Sequence, residues 1–466
     1  MQRRDFLRGS AALSLSGLLP GLVAAGEGSE RKPHILMLAV DDLRPQLGCY
    51  GNAFMHSPNM DALAAGGCLF ERAYCNYPVC GASRASLLTG LRPTPERFTS
   101  YKSQARRDVP DAVPLHGWLK QQGYRVVGNG KVFHNPRDHR ELWDAWHRPK
   151  EWKDYVSKEA RRGKGWAWEI PEVDEERLQG GKVADFAIQE IRRAAKNGAP
   201  AFITAGFSKP HLPFIAPKQY WDLYDHEVIA LAPNPFAPAD VPEEAMHNYG
   251  ELRGGYEGVP EQHPLPDDYA RWLCHGYYAC VSFTDAMIGR ILNELADAGL
   301  ADDTIVVLWG DHGWQLGEHG LWCKHSTFHT SLHSPLMVRV PGMQAARCPG
   351  LVEFVDIYPS MCELAGCPQP AGLEGDSFVP LLSEPERPWK DAVFAAYGKR
   401  DGRGECIITD RYSYTEFGDG SRMLYDHAVD PMENVNIADH PDHAAVVREL
   451  SQRLRAGWPA VRKDLL

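Results

Sequence analysis

The chain has 466 residues, 44% of them hydrophobic, with 61 acidic against 50 basic side chains and a formal net charge of −11. That length exceeds what one compact core usually holds, and the apolar content is ordinary for a globular protein with an appended subdomain. The acidic balance and the lack of a basic stripe speak against nucleic-acid binding, and no internal repeat or low-complexity tract is present.

The amino terminus reads Q-R-R-D-F-L-R at residues 2–8, before an apolar stretch at 11–25 that Pro20 interrupts. This resembles a twin-arginine export signal covering residues 1–26, and about 14 apolar residues around a proline are too few to span a bilayer. The expectation is an exported protein, periplasmic or secreted, without a stable membrane span, that uses the twin-arginine machinery as a partner. The eleven cysteines show no zinc spacing. A chain that folds in a reducing cytoplasm need not pair them, and Cys362 and Cys367 are the best-placed local pair.

Four apolar runs predict buried parallel strands, each ending in charged groups. Residues 34–40 end in Asp41 and Asp42. Residues 124–128 lead to Lys131 and His134, residues 201–207 to Lys209 and His211, and residues 304–309 to Asp311 and His312. Ligands of open α/β sheets bind beyond the carboxyl ends of the strands, so these groups would share one site. Helices are predicted at 115–122, 183–195 and 278–298. The sections 143–176 and 233–266 are rich in proline, tryptophan and charge and lack periodicity. They read as long loops that shape a pocket. After Pro380 the runs at 392–397, 405–409 and 412–417 read as short antiparallel strands before a final helix at 444–456.

Three carboxylates, Asp41, Asp42 and Asp311, would repel one another unless a cation lay among them. Oxygen donors favour a hard ion, calcium or magnesium, while the imidazole of His312 keeps manganese or zinc open. Arg84, Lys131, Lys209 and Lys324 add positive charge beyond structural need in an acidic chain, which points to an anionic substrate.

Residues 80–90 read C-G-A-S-R-A-S-L-L-T-G. Gly81 and Ala82 allow a tight turn, Ser83 can cap the following helical run, and Arg84 faces the same place as Cys80, so a nucleophile sits in a positive field. A cysteine phosphatase would place its arginine six residues after the cysteine, whereas here the spacing is four. The stretch instead resembles the signature of formylglycine-dependent (type I) sulfatases, C-x-[PA]-S-R followed by x-x-L-L-T-G. The resemblance continues through D-D-L-R-P at 41–45, G-C-Y-G at 48–51, G-K-V-F-H at 130–134, K-P-H-x-P-F at 209–214 and D-H-G-W-x-L-G-E-H-G at 311–320, and more weakly through 424–436. It is nearest to the iduronate-2-sulfatase-like branch.

That resemblance implies an α/β, alkaline-phosphatase-like sandwich with a large, mostly parallel central sheet and a small C-terminal α+β subdomain carrying an antiparallel sheet. The catalytic domain would span 33–380 and the subdomain 381–466. Cys80 would be oxidised to formylglycine by a formylglycine-generating enzyme, with Ala82 standing where proline is commoner. Asp41, Asp42, Asp311, His312 and the modified Cys80 would hold the metal, calcium first. Arg84, Lys131, His134, His211 and Lys324 would handle sulfate and protons, His211 donating to the departing sugar oxygen and His134 serving the second half of the reaction. Lys209, Trp314 and His325 would bind substrate, Trp314 by packing on a sugar face. The implied reaction is exo-removal of an O-sulfate from a sulfated carbohydrate, the 2-O-sulfate of a uronic acid. A phosphonate or phosphate ester hydrolase of the same fold, or a sulfated-glycan-binding protein with unmodified Cys80, are the alternatives.

Overall fold

An eight-stranded sheet carries the site. The computed structural model describes residues 32–150, 153–398 and 402–462, so the export-signal expectation at 1–26 lies outside the described residues. In chain order the strands are β1 (His34–Asp41), β2 (Cys68–Tyr74), β3 (Arg125–Asn129), β4 (Ala145–His147), β5 (Ala201–Pro210), β6 (Thr304–Gly310), β7 (Leu336–Arg339) and β8 (Ala346–Glu353). Their spatial order is β8-β2-β7-β6-β1-β5-β3-β4. Only β7 runs against its neighbours β2 and β6, so the sheet is mostly parallel, with one reversed strand.

β1 is buried along its whole length. A side-chain period of two sends alternate residues to opposite faces. Leu36, Leu38 and Val40 enter one apolar core and Ile35, Met37 and Ala39 the other. The first core is closed by α3 (Gln179–Asn197) and α5 (Asp267–Asp297), the second by α1 (Cys80–Thr89) and α2 (Leu115–Gln121). Helices on both faces explain why these strands read as continuous hydrophobic runs.

A four-stranded antiparallel sheet follows: β9 (Ala392–Tyr397), β10 (Gly404–Thr409), β11 (Tyr412–Phe417) and β12 (Arg422–Asp426), paired in that order. One face meets α6 (Ala444–Ala456) through Ile407, Tyr414, Leu424, Val447 and Leu450. The other face gives Val393, Ala395, Cys406 and Ile408 to the second core, which joins this sheet to the body.

The helix expected at 278–298 begins at Asp267, because Ala270, Leu273, Cys274 and Tyr277 continue the buried face after Pro266. The helix expected at 183–195 extends to Gln179–Asn197 and stops where Gly198 takes φ 69°. The strand β12 was hidden in the 424–436 motif. All eleven cysteines are thiols, including Cys362 and Cys367, the best-placed local pair in sequence. Among the described residues no helix is long and apolar enough to cross a membrane.

Candidate active site

Sheet register brings the charged strand ends to one level. Val40 pairs with Phe207 and with Gly310, and Asp41, beyond a register shift, pairs with Pro210. Asp41 and Asp42 therefore sit beside the segment holding Lys209 and His211 on one side and beside Asp311 and His312 on the other. Asp42 takes φ 60°, which turns the chain out of the strand and aims its carboxylate back into the site.

Cys80 opens α1 at the cavity floor. Gly81 is required there, since a Cβ would lie 2.3 Å from the Tyr101 carbonyl oxygen. Ser83 is not the cap. The cap position is Val79, and the Ser83 hydroxyl, inside the first turn, donates to the Asp311 carbonyl and ties the helix to the end of β6.

Arg84 is fully buried behind the carboxylates and not on the pocket wall. Its Nη2 donates to Asp41 Oδ1 (2.9 Å), its Nε to Asp311 Oδ2 (2.8 Å) and its Nη1 to the carbonyls of Val132 (3.0 Å) and Lys131. This guanidinium positions two carboxylates instead of reaching sulfate. Lys131 Nζ donates to Asp41 Oδ2. Burial alone would raise the Asp41 carboxyl, but Lys131 and Arg84 hold it well below the usual range. Asp42 is raised by burial, against the pull of His211 and Lys324.

Asp42, Cys80, Asp311 and His312 each offer a ligand atom, all within 4.8 Å of one another. His312 Nδ1 donates to Gly313 O (2.8 Å), which turns the Nε2 lone pair toward Asp42 Oδ1 (3.3 Å), Asp311 Oδ1 (3.6 Å) and Cys80 Sγ (3.3 Å). A carbonyl partner on the far nitrogen commonly fixes a metal-ligating histidine, and a cation would relieve the facing lone pairs. This donor set fits a divalent ion, and Asp41 belongs to a second, overlapping group with Asp42, Cys80 and His211. Cys80 Sγ also lies 3.7 Å from Asp42 Oδ1. As a thiol it is a weak nucleophile, because burial and the Asp41 charge push it up to about 12.

Two cavity histidines, His134 and His211, stand in opposite electrostatic environments. His211 Nδ1 donates to Leu212 O (2.6 Å), and Nε2 meets Glu251 Oε1 at 3.0 Å and Asp42 Oδ2 at 3.8 Å. Burial disfavours its cation, yet the Asp42 carboxylate raises it to about 10. His134 is lowered to about 2 by burial and then by Lys131. Opposite environments of this kind separate a proton donor from a proton acceptor.

Cys80, His134, His211, Lys324 and His325 line one cavity of about 530 Å³ together with Tyr101, Lys153, Glu251 and Tyr256. Two of the expected substrate contacts lie elsewhere. Lys209 is buried behind the cavity, where Nζ donates to the carbonyls of His211 (3.3 Å) and Pro213 (2.5 Å). Trp314 is only 1% exposed, stacked on Tyr277 with Lys324 Nζ 4.7 Å from its ring centroid, so it supports a lysine and offers no face to a sugar. Glu251, Lys153, Tyr101 and Tyr256 were missed. The first two stand in aperiodic loops, and only the glycine-flanked G-E-L-R-G-G at 250–255 sets Glu251 apart in sequence.

A family model described as Sulfatase matches residues 33–367, and one for the C-terminal part of N-sulphoglucosamine sulphohydrolase matches 317–458. The iduronate 2-sulfatase of Mus musculus is 33% identical over 409 residues, covering 78% of this chain and 74% of that protein. A sulfatase of Formosa agariphila is 29% identical over 470 residues, covering 92% and 88%. Among solved structures, the phosphonate monoester hydrolase of Agrobacterium radiobacter superposes with a TM-score of 0.77 at 24% identity, covering 93% of this chain and 96% of that one. A 2-O GAG sulfatase superposes at 0.74 with 20% identity, covering 93% and 94%. These two share the fold. Matched along most of its length, the chain belongs to the sulfatase family and is a sulfuric ester hydrolase.

Proposed function

We propose that this sulfatase acts on the end of a sulfated carbohydrate, removes a 2-O-sulfate from a uronic acid, and uses formylglycine at position 80 with one calcium ion. The observation that carries the reading is the convergence of Cys80, His134, His211 and Lys324 on one cavity, next to the buried Asp42, Asp311 and His312 donor set. Similarity to the iduronate 2-sulfatases supports the sugar and the sulfate position. Lys153 on the wall supplies a cation for a uronate carboxylate, and Tyr101, 57% exposed, takes the sugar-stacking role expected of Trp314.

When bound, the ion held by Asp41, Asp42, Asp311, His312 and residue 80 supplies positive charge for the sulfate oxygens, and hydrated formylglycine supplies the attacking hydroxyl. The carboxylates put calcium ahead of magnesium, manganese or zinc. Lys324 adds charge on the cavity wall, and Lys131, held to Asp41, adds it from outside the lining. His211 Nε2 delivers a proton to the departing sugar oxygen, since Nδ1 is engaged with Leu212. His134, on the wall of the same cavity, accepts a proton in the second half. Arg84 fixes the metal-binding carboxylates. The 1–26 segment would direct the chain through the twin-arginine machinery to the periplasm or medium, after a formylglycine-generating enzyme has acted. Catalysis belongs to 33–380, with 381–466 as an appended subdomain.

An oligosaccharide panel varying sulfate position and the uronate carboxylate tests the substrate. Faster turnover of 6-O-sulfated hexosamine than of every 2-O-sulfated uronate would reject it, and aryl sulfate against aryl phosphate separates the phosphohydrolase alternative. Active enzyme whose residue 80 has only the mass of cysteine would reject the nucleophile.

A further inference from the structure

Glu251 lines the cavity and has no part in the chemistry above. Its Oε1 accepts from Lys324 Nζ (2.8 Å) and meets His211 Nε2 (3.0 Å), while Oε2 lies 3.7 Å from His325 Nε2. Lys324 and His211 are the two cavity-lining donors assigned above to the sulfate group and its departing oxygen, since Lys153 was given to the sugar carboxylate, Lys131 is held by Asp41, and Arg84 and Lys209 are committed outside the lining. His211 has a single nitrogen to offer, and one carboxylate oxygen holds both that nitrogen and the lysine. An oxygen within hydrogen-bond reach of both donors lies where a substrate oxygen must go. A carboxylate and a sulfate cannot share that place, because like charges in a water-poor site repel strongly.

The carrier of Glu251 suits withdrawal. It is the six-residue helix α4 (Gly250–Gly255), inside the 233–266 loop, entered through Tyr249 at φ 55°. A Cβ added at Gly254 or Gly255 would meet nothing within 4 Å, so that end of the helix has open space beside it.

We propose that Glu251 is the resident anion of the sulfate subsite: its carboxylate occupies the subsite in the free enzyme, and substrate binds by displacing it as α4 withdraws. The proposal rests on the roles given to His211 and Lys324. Its consequence is selectivity. A sulfate on a sugar draws on wall contacts to displace Glu251, whereas inorganic sulfate, the product, has none and is held weakly.

The test uses full-length, metal-loaded enzyme, with inorganic sulfate as the probe. If Glu251 fills the subsite about nine-tenths of the time, sulfate binds about tenfold more weakly than to an open site. Glu251→Gln is therefore expected to lower the sulfate inhibition constant by about tenfold and to lower KM. In the unaltered enzyme, sulfate is expected to speed hydrogen exchange at residues 250–255. A fall in kcat with KM and the inhibition constant unchanged would assign Glu251 to positioning and overturn displacement, as would unaltered exchange at saturating sulfate. Undiminished turnover in Lys324→Ala and His211→Asn would instead remove the underlying assignment, an outcome distinct from either.

Discussion

The floor of the cavity and its wall are built on different principles. Next to Cys80 at the floor are the buried Asp41, which ends β1, and Asp42, Asp311 and His312, one or two residues past strands whose register fixes them, braced by the buried Arg84. The wall is Lys153, Glu251 and Tyr256, drawn from two aperiodic loops, with Tyr101 at the rim. A floor set by sheet pairing serves the shared chemistry of sulfate. A wall made of loops can be rebuilt for each sugar without disturbing it. Substitutions in the two should therefore differ in kind, the floor losing turnover and the wall changing affinity.

The largest effect is expected at the floor. Asp311→Ala removes an acceptor of Arg84 Nε and of the Asp42 amide as well as a proposed metal ligand. Turnover should fall by about 1,000-fold or more, and bound metal should be lost. Elemental analysis and kinetics check this together, and stoichiometric metal in an active Asp311→Ala protein would break the assignment. Chelation of the native enzyme should give the same loss, reversed by calcium.

Next come the groups between floor and wall. Lys324→Ala and His211→Asn are each expected to reduce kcat by about 100-fold, as removal of a charge donor or a proton donor does. An effect confined to KM would move either residue to the wall.

What the sequence revealed divides along the same line. β1, β5 and β6 were legible because strands covered on both faces are unbroken apolar runs, and residues placed at their ends needed no knowledge of side-chain direction. Direction is what failed. Lys209 and Trp314 stand in motifs beside the site, yet one turns back to backbone carbonyls and the other lies beneath Lys324. Arg84 was placed correctly near Cys80 but faces the carboxylates. Glu251 was beyond reach, because its partners at 211 and 324 come from other elements and nothing periodic ties 250–255 to them.

A second buried carboxylate sharpens the contrast. Glu353 accepts from Arg92, Lys390 (3.1 Å), Asn76 Nδ2 (3.1 Å) and the Phe394 amide (2.9 Å), and is locked where Glu251 is only lodged. Burial would raise it, but Arg92 and Lys390 lower it to about 2. A folded-state value below the unfolded one means that its contribution is fully present above the ordinary glutamate range and is lost as pH falls toward 2. Denaturant melts across that window should show the loss. Glu353→Gln should flatten it and cost about 3 kcal/mol at neutral pH, because the buried Arg92 guanidinium loses its carboxylate while Lys390 keeps Asp356 at 2.6 Å.

The smallest expected effect separates the two candidate sugar platforms. The backbone of Tyr101 packs against α1 at Gly81 while its ring stands exposed near the edge of His134, with centroids 6.1 Å apart. Its removal takes away apolar stacking area but no charge. Tyr101→Ala should raise KM for the oligosaccharide by about five- to tenfold with little change in kcat, the scale of one aromatic contact. Trp314→Phe keeps an aromatic ring beneath Lys324 and sacrifices only part of that cation–π contact, so KM should move by about twofold or less. Measured on one substrate, the pair decides which ring meets the sugar. A KM that rises in Trp314→Phe and stays put in Tyr101→Ala would put the platform in the buried layer, and the wall as drawn here would have to open far enough to expose it.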